Sequence, residues 1–141
     1  MAIEGGCFCG AVRYSATANP LGSMVCHCRT CRAVAGAPVV PWVTFDKSAF
    51  AWTRGQPAIL KSSSSVTRTF CSACGTPLGY ENAGTPTEID ITTCSLDDPN
   101  AFPPTHHSWL SHDLNWIRFG DGLPTYTKSK LDAENGLTVD S

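Results

Sequence analysis

Three cysteines within six residues, Cys26, Cys28 and Cys31, constrain this chain more than any other feature of its sequence. A free cysteine behaves as a small hydrophobe and would be scattered along apolar faces, so three in a row need a common partner. Two further pairs stand on either side, Cys7-Phe8-Cys9-Gly10 and Cys71-Ser72-Ala73-Cys74-Gly75. Each ends in glycine, the residue that most freely takes the positive φ a tight knuckle requires. The 8 cysteines thus divide as four plus three, with Cys94 left over.

In a secreted chain that count would first be read as disulfides, and in a reducing compartment as metal ligands. The opening Met1-Ala2-Ile3-Glu4-Gly5-Gly6 has no basic stretch leading into an apolar run, and nowhere is there an apolar run of about 18 residues. We therefore expect a cytoplasmic protein whose cysteines bind metal, with no membrane partner. Its net charge is -2 and its 10 Lys and Arg residues are spread along the chain. That leaves no basic stripe for nucleic acid. The length of 141 residues predicts a single domain, 1–141, able to bury roughly two-thirds of its unfolded surface.

The segments between the cysteines read as short strands. Val12, Tyr14 and Ala16 alternate onto one face, Met24-Val25-Cys26 delivers the central cysteines, and Val66-Thr67-Arg68-Thr69-Phe70 alternates into Cys71. Val39 to Phe45, Phe50 to Trp52, Ala58 to Leu60, Leu78 to Tyr80 and Glu88 to Thr93 supply further strands, with Ser62 to Ser65 as a solvated hairpin loop. Thr30 to Ala35, stopped by Gly36 and Pro38, is the one helix expected in the N-terminal half. The fold class is mainly β: a compact, zinc-stapled domain of short antiparallel strands with little helix. Trp42, Trp52 and Trp116 are expected in the core, and Cys94 as a buried thiol on the strand after Ile89.

Structural zinc takes four thiolates in a tetrahedron, usually from two knuckles distant in sequence, and Cys7, Cys9, Cys71 and Cys74 fit that description. Cys26, Cys28 and Cys31 make three ligands. A catalytic zinc keeps three protein ligands and an open position, while a second structural site closed by Cys94 or a histidine is the alternative. His27 lies between ligands that share a side, so its ring is expected to point away. Three thiolates leave such a zinc formally at -1, which favours an exogenous thiolate over hydroxide. Arg29 and Arg32 flank the cluster and are candidates either to hold a substrate carboxylate or simply to bond nearby carbonyls.

These residues resemble the glutathione-dependent formaldehyde-activating enzymes, a family sharing a β-tent-like fold with centromere protein V. The similarity runs through Gly6-Cys7-Phe8-Cys9-Gly10-Ala11-Val12-Arg13-Tyr14, Cys26-His27-Cys28-Arg29-Thr30-Cys31-Arg32, Phe70-Cys71-Ser72-Ala73-Cys74-Gly75-Thr76-Pro77-Leu78, Leu96-Asp97-Asp98-Pro99 and His107-Ser108-Trp109. The resemblance implies two zinc ions per chain, a structural one on Cys7, Cys9, Cys71 and Cys74 and a catalytic one on Cys26, Cys28 and Cys31. It further implies a carbon-sulfur lyase that joins formaldehyde to glutathione as S-(hydroxymethyl)glutathione, with glutathione or a related thiol as its small-molecule partner. His107 matches a family histidine and is a candidate acid or base. The other function class is a non-catalytic, zinc-stabilised binding module.

Overall fold

The computed structural model describes residues 2–131. In chain order it contains β1 (Ile3–Gly6), β2 (Arg13–Ala16), β3 (Gly22–Cys26), α1 (Arg29–Ala35), β4 (Val40–Asp46), β5 (Phe50–Arg54), β6 (Ala58–Lys61), β7 (Val66–Phe70), β8 (Pro77–Asn82), β9 (Glu88–Thr92) and β10 (His107–Ser108). The strands form a three-stranded sheet, β1-β2-β5, and a seven-stranded sheet, β10-β3-β4-β9-β8-β7-β6. Pairing is antiparallel throughout except for β10, which lies parallel to β3. The mainly β expectation holds, and β1, which its two glycines hid from a propensity reading, is an addition.

The two-residue period of β4 divides the interior into two cores. Val43 and Phe45, both 0% exposed, face the small sheet and pack with Val12, Tyr14, Ala16, Leu78, Ile89 and Ile91. Val40 and Trp42 point to the opposite face and pack with Cys26, Cys28 and Cys31. The large sheet is therefore covered on one side by the small sheet. On the other it carries the three-cysteine loop and α1.

Helix α1 begins at Cys28, whose sulfur accepts from the Cys31 N–H at 3.1 Å, an N-cap made by a thiol. It stops at Gly36, which takes a φ of 63° and donates its N–H to the Arg32 carbonyl. The serine run forms the turn between β6 and β7, as expected of a hairpin loop.

Two burial expectations are corrected. Cys94 is exposed, because β9 ends at Thr92 and a 3-10 turn over Thr93–Ser95 takes its place. Each residue of such a turn rotates by about 120° rather than 180°, so Thr93 stays inside and Cys94 turns out. Trp116 is 68% exposed on an irregular stretch with no strand alternation to aim it inward. Trp52 is half-buried, with its ring edge-on to Phe50 at 5.0 Å and Tyr14 at 5.9 Å. Among the described residues no helix is long and apolar enough to cross a membrane.

Candidate metal centres

The sulfurs of Cys7, Cys9, Cys71 and Cys74 lie within 4.8 Å of one another, although the two pairs are more than sixty residues apart. The sequence achieves this with two matching turns. Gly10 and Gly75 both sit at φ 81°, donating to the carbonyls of Cys7 and Cys71 at 3.2 and 2.8 Å. Backbone N–H groups of Val12 and Cys74 donate to the sulfurs of Cys7 and Cys71 at 3.3 and 3.4 Å. The Thr76 hydroxyl at 3.2 Å helps to pull the Cys74 thiol down to about 5. Donors aimed at sulfur stabilise thiolates.

The spacing between sulfurs tests the fit to metal. A tetrahedron with zinc–sulfur arms of about 2.3 Å has edges of about 3.8 Å. Cys7 and Cys9 are 3.6 Å apart, Cys9 and Cys71 3.8 Å, and Cys26 and Cys31 3.6 Å. Both clusters have the donor set and dimensions of a thiolate zinc site.

Cys26, Cys28 and Cys31 form the second group, and among the described residues no fourth Cys, His, Asp or Glu ligand atom joins it. All three are buried. The neighbouring sulfurs of Cys28 and Cys31, followed by burial, push the Cys26 thiol strongly up, so without a cation the three resist ionising together. A divalent ion reverses that logic. The surroundings already hold one cation: Arg68, 3% exposed, aims Nη1 and Nη2 at Cys31 Sγ from 3.7 and 3.6 Å. Its Nε donates to Ser62 Oγ at 3.1 Å, and the guanidinium lies over the Tyr80 ring at 5.1 Å. A buried guanidinium needs an anion, and the cysteine cluster supplies one when its thiols ionise on a metal.

Cys26 and Cys31 form part of the wall of a cavity of about 140 Å³, with Trp42, Tyr80, Trp109, Glu88 and Asp90. Antiparallel register builds its floor: Thr44 pairs with Asp90, Asp90 with Tyr80, and Tyr80 with Arg68, one row across β4, β9, β8 and β7. The Thr44 hydroxyl donates to Asp90 Oδ1 at 2.5 Å. Burial, outweighing that bond, lifts the Asp90 carboxyl to about 6, with Glu88 adding to the rise. Trp109 reaches the cavity from a left-handed backbone, φ 63°, the one positive φ at a non-glycine among the described residues. Its N–H is tied to the Lys128 carbonyl at 2.9 Å. A second cavity, about 330 Å³ and largely apolar, borders the other side of Cys31, along Val34, Leu60 and Arg68.

The family model for glutathione-dependent formaldehyde-activating enzymes matches residues 2–112. The chain belongs to that family. No curated protein matches it. Among solved structures it is similar to a crystal structure of a Rhodobacter sphaeroides protein, at 18% identity and a TM-score of 0.57, covering 87% of this chain and 98% of that one. At that identity the likeness shows a shared fold.

For this member of the family, the structure places the remaining candidate residues away from the cavity. Arg32 donates to the carbonyls of His27 and His112, at 3.2 and 2.9 Å, so its guanidinium braces the metal loop. Arg29 is exposed on the first turn of α1. His107, 2% exposed, stands in a hydrogen-bonded chain that runs from the buried His27 to the exposed Asp121: its Nε2 meets Asp121 Oδ2 at 2.8 Å and its Nδ1 meets His27 Nε2 at 2.9 Å. With His107 neutral and the carboxylate accepting from its Nε2–H, His107 Nδ1 accepts from His27 Nε2–H. His27 Nδ1 is then a buried acceptor with no partner. The chain joins the metal loop to the segment after Phe119, whose ring packs on both imidazoles.

Sequence reasoning missed Arg68, Asp90, Tyr80 and Glu88. One signal was present: an arginine in the alternating run that ends at Cys71 must lie on one face of its strand.

Proposed function

We propose that this chain is a zinc-dependent carbon-sulfur lyase acting on the adduct of a small thiol with formaldehyde. Cys7, Cys9, Cys71 and Cys74 would hold a closed structural zinc, and Cys26, Cys28 and Cys31 would hold a second zinc beside the aromatic cavity. The observation that carries this reading is that Cys26 and Cys31 border that cavity while, among the described residues, no fourth ligand joins their cluster.

Zinc bound there supplies a Lewis acid that keeps a thiol ionised at neutral pH. The chain supplies the rest. The Cys28 cap and the Arg32 braces hold the loop in shape, and Arg68 offsets the charge of the sulfurs. Trp42 and Trp109 narrow the cavity and exclude water, which strengthens each electrostatic contact inside it. In the forward direction sulfur attacks the carbonyl carbon, the carbon–oxygen π bond opens, and the proton lost by the thiol ends on oxygen. Holding both reactants together is the main source of acceleration. His107, buried behind the loop, serves as a positioning residue in this scheme.

The test is exchange between formaldehyde plus thiol and their adduct, followed by NMR for a panel of thiols that includes glutathione. The wild-type protein should accelerate exchange for at least one thiol, and Cys28→Ser should lose the acceleration while keeping its fold. Rates equal to the uncatalysed ones across the panel, at saturating thiol, would leave the zinc-braced binding module as the better reading.

A further inference from the structure

The cavity beside the three-cysteine cluster has an unusual charge balance. Two carboxylates, Asp90 and Glu88, line it, and none of its lining residues is Lys or Arg. Among the described residues Asp90 has Thr44 as its hydrogen-bond partner and forms no salt bridge, and Glu88, which also borders a polar groove with Lys47 and Lys61, forms none. The nearest buried cation, Arg68, stands beyond Tyr80 in the cross-strand row and is committed to Cys31 Sγ. Ser129 and Leu131 line the cavity while Lys128 and Lys130 do not. Residues 132–141 contain no Lys, Arg or His at all. The other walls include the aromatic rings of Trp42, Tyr80 and Trp109, with Met24, Asn82 and Thr85.

Rings around carboxylates form a receptor for an ammonium group. The π faces attract a cation, and the carboxylates complete its desolvated surroundings. The same walls repel a carboxylate, which would enter beside two like charges with no Lys or Arg in the lining. We propose that the thiol taken by this cavity carries an ammonium group and no carboxylate, so that the substrate class is a small aminothiol and not glutathione, whose two carboxylates find no cation here. Asp90, held by Thr44, is the anchor for the ammonium and Glu88 a second contact. The thiol points toward Cys26 and Cys31. The thiol half of this assignment rests on the open-zinc reading above, while the ammonium half rests on the cavity alone.

Three thiols of similar length separate the possibilities: cysteamine, 2-mercaptoethanol and 3-mercaptopropionate, titrated calorimetrically into the zinc-loaded protein. Their thiols differ in acidity, so the decisive readout is how each affinity changes in Asp90→Asn and in Glu88→Gln. Cysteamine should bind the wild type tightest of the three and weaken roughly tenfold or more in Asp90→Asn, the loss of one partly buried charge-assisted contact. Glu88→Gln should weaken it by a smaller factor. 2-Mercaptoethanol should change little, and 3-mercaptopropionate should bind better to both variants. Propylammonium, which has no thiol, should bind the wild type and lose affinity in Asp90→Asn. Equal or tighter binding of 3-mercaptopropionate or glutathione to the wild type overturns the proposal, as does a uniform loss of all three thiols in the variants. Propylammonium binding without any thiol binding keeps the ammonium site and overturns the open-zinc reading. Binding of none of these probes overturns both.

Discussion

The guanidinium of Arg68 turns both terminal nitrogens onto Cys31 Sγ, at 3.7 and 3.6 Å, in a region that is 3% exposed at Arg68 and 4% at Cys31. A cation so placed lowers the cost of gathering three thiolates. Removing it with Arg68→Met, which keeps much of the stem volume, should weaken metal at the three-cysteine site by roughly 10 to 100-fold, the range typical of lost outer contacts. Chelator competition followed by native mass spectrometry checks this: the variant should lose its first zinc sooner, with the second retained as in wild type. Parallel loss of both ions would refute the assignment of Arg68 to one site.

Metal content itself is the second expectation. Protein purified under reducing conditions should carry two zinc ions, since both clusters have the edge lengths of tetrahedral thiolate sites. Native mass spectrometry counts them. A single ion, or disulfides in its place, contradicts the reading.

Loss of a ligand should hurt unequally. Cys74→Ser removes a thiolate that ties two remote knuckles together, and the zinc binding free energy forfeited there is also folding free energy, of the order of several kcal/mol. We expect an unfolded or insoluble variant. Cys28→Ser should melt closer to wild type, because its ligands are local and serine can still cap α1. Equal destabilisation in thermal melts would erase the distinction between the sites.

Asp90 links stability to pH with a definite sign. Its folded value of about 6 lies above the unfolded 3.8, so between the two the native state binds the proton and the unfolded chain does not. Stability from this group is therefore greatest below the unfolded value and falls as pH rises through 4 to 6. The penalty at neutral pH is up to about 3 kcal/mol for a shift of about two units. Asp90→Asn, which can still accept from Thr44, should be more stable than wild type at pH 7 and lose that advantage by pH 4. Denaturant melts across this range measure it, and a variant less stable at pH 7 contradicts the sign. Higher stability bought by a loss of cysteamine binding is what a functional carboxylate would show.

His107→Ala should cost about 1–3 kcal/mol, because it leaves His27 Nε2–H buried without an acceptor and frees Asp121. The same melts test this, and an unchanged midpoint would show that the histidine chain adds nothing to the fold.

The cysteine partition was legible because ligand spacing and a following glycine are written within a few residues. The sulfurs grouped that way are those the fold brings together. Strand alternation was legible for the same local reason: Val12, Tyr14 and Ala16 are 3%, 1% and 0% exposed. Local pattern failed where a turn replaced a strand, which reversed the burial of Cys94. It also pointed to Arg29 and Arg32 as the charges near the cluster, because they are its neighbours in sequence. The tertiary structure chose Arg68, 37 residues away from Cys31, and set Thr44, Asp90, Tyr80 and Arg68 side by side. Which side chain stands next to which across four strands depends on sheet order and register. Those follow from how two cores are buried at once on opposite faces of one sheet, a property of the whole chain that no short stretch of it carries.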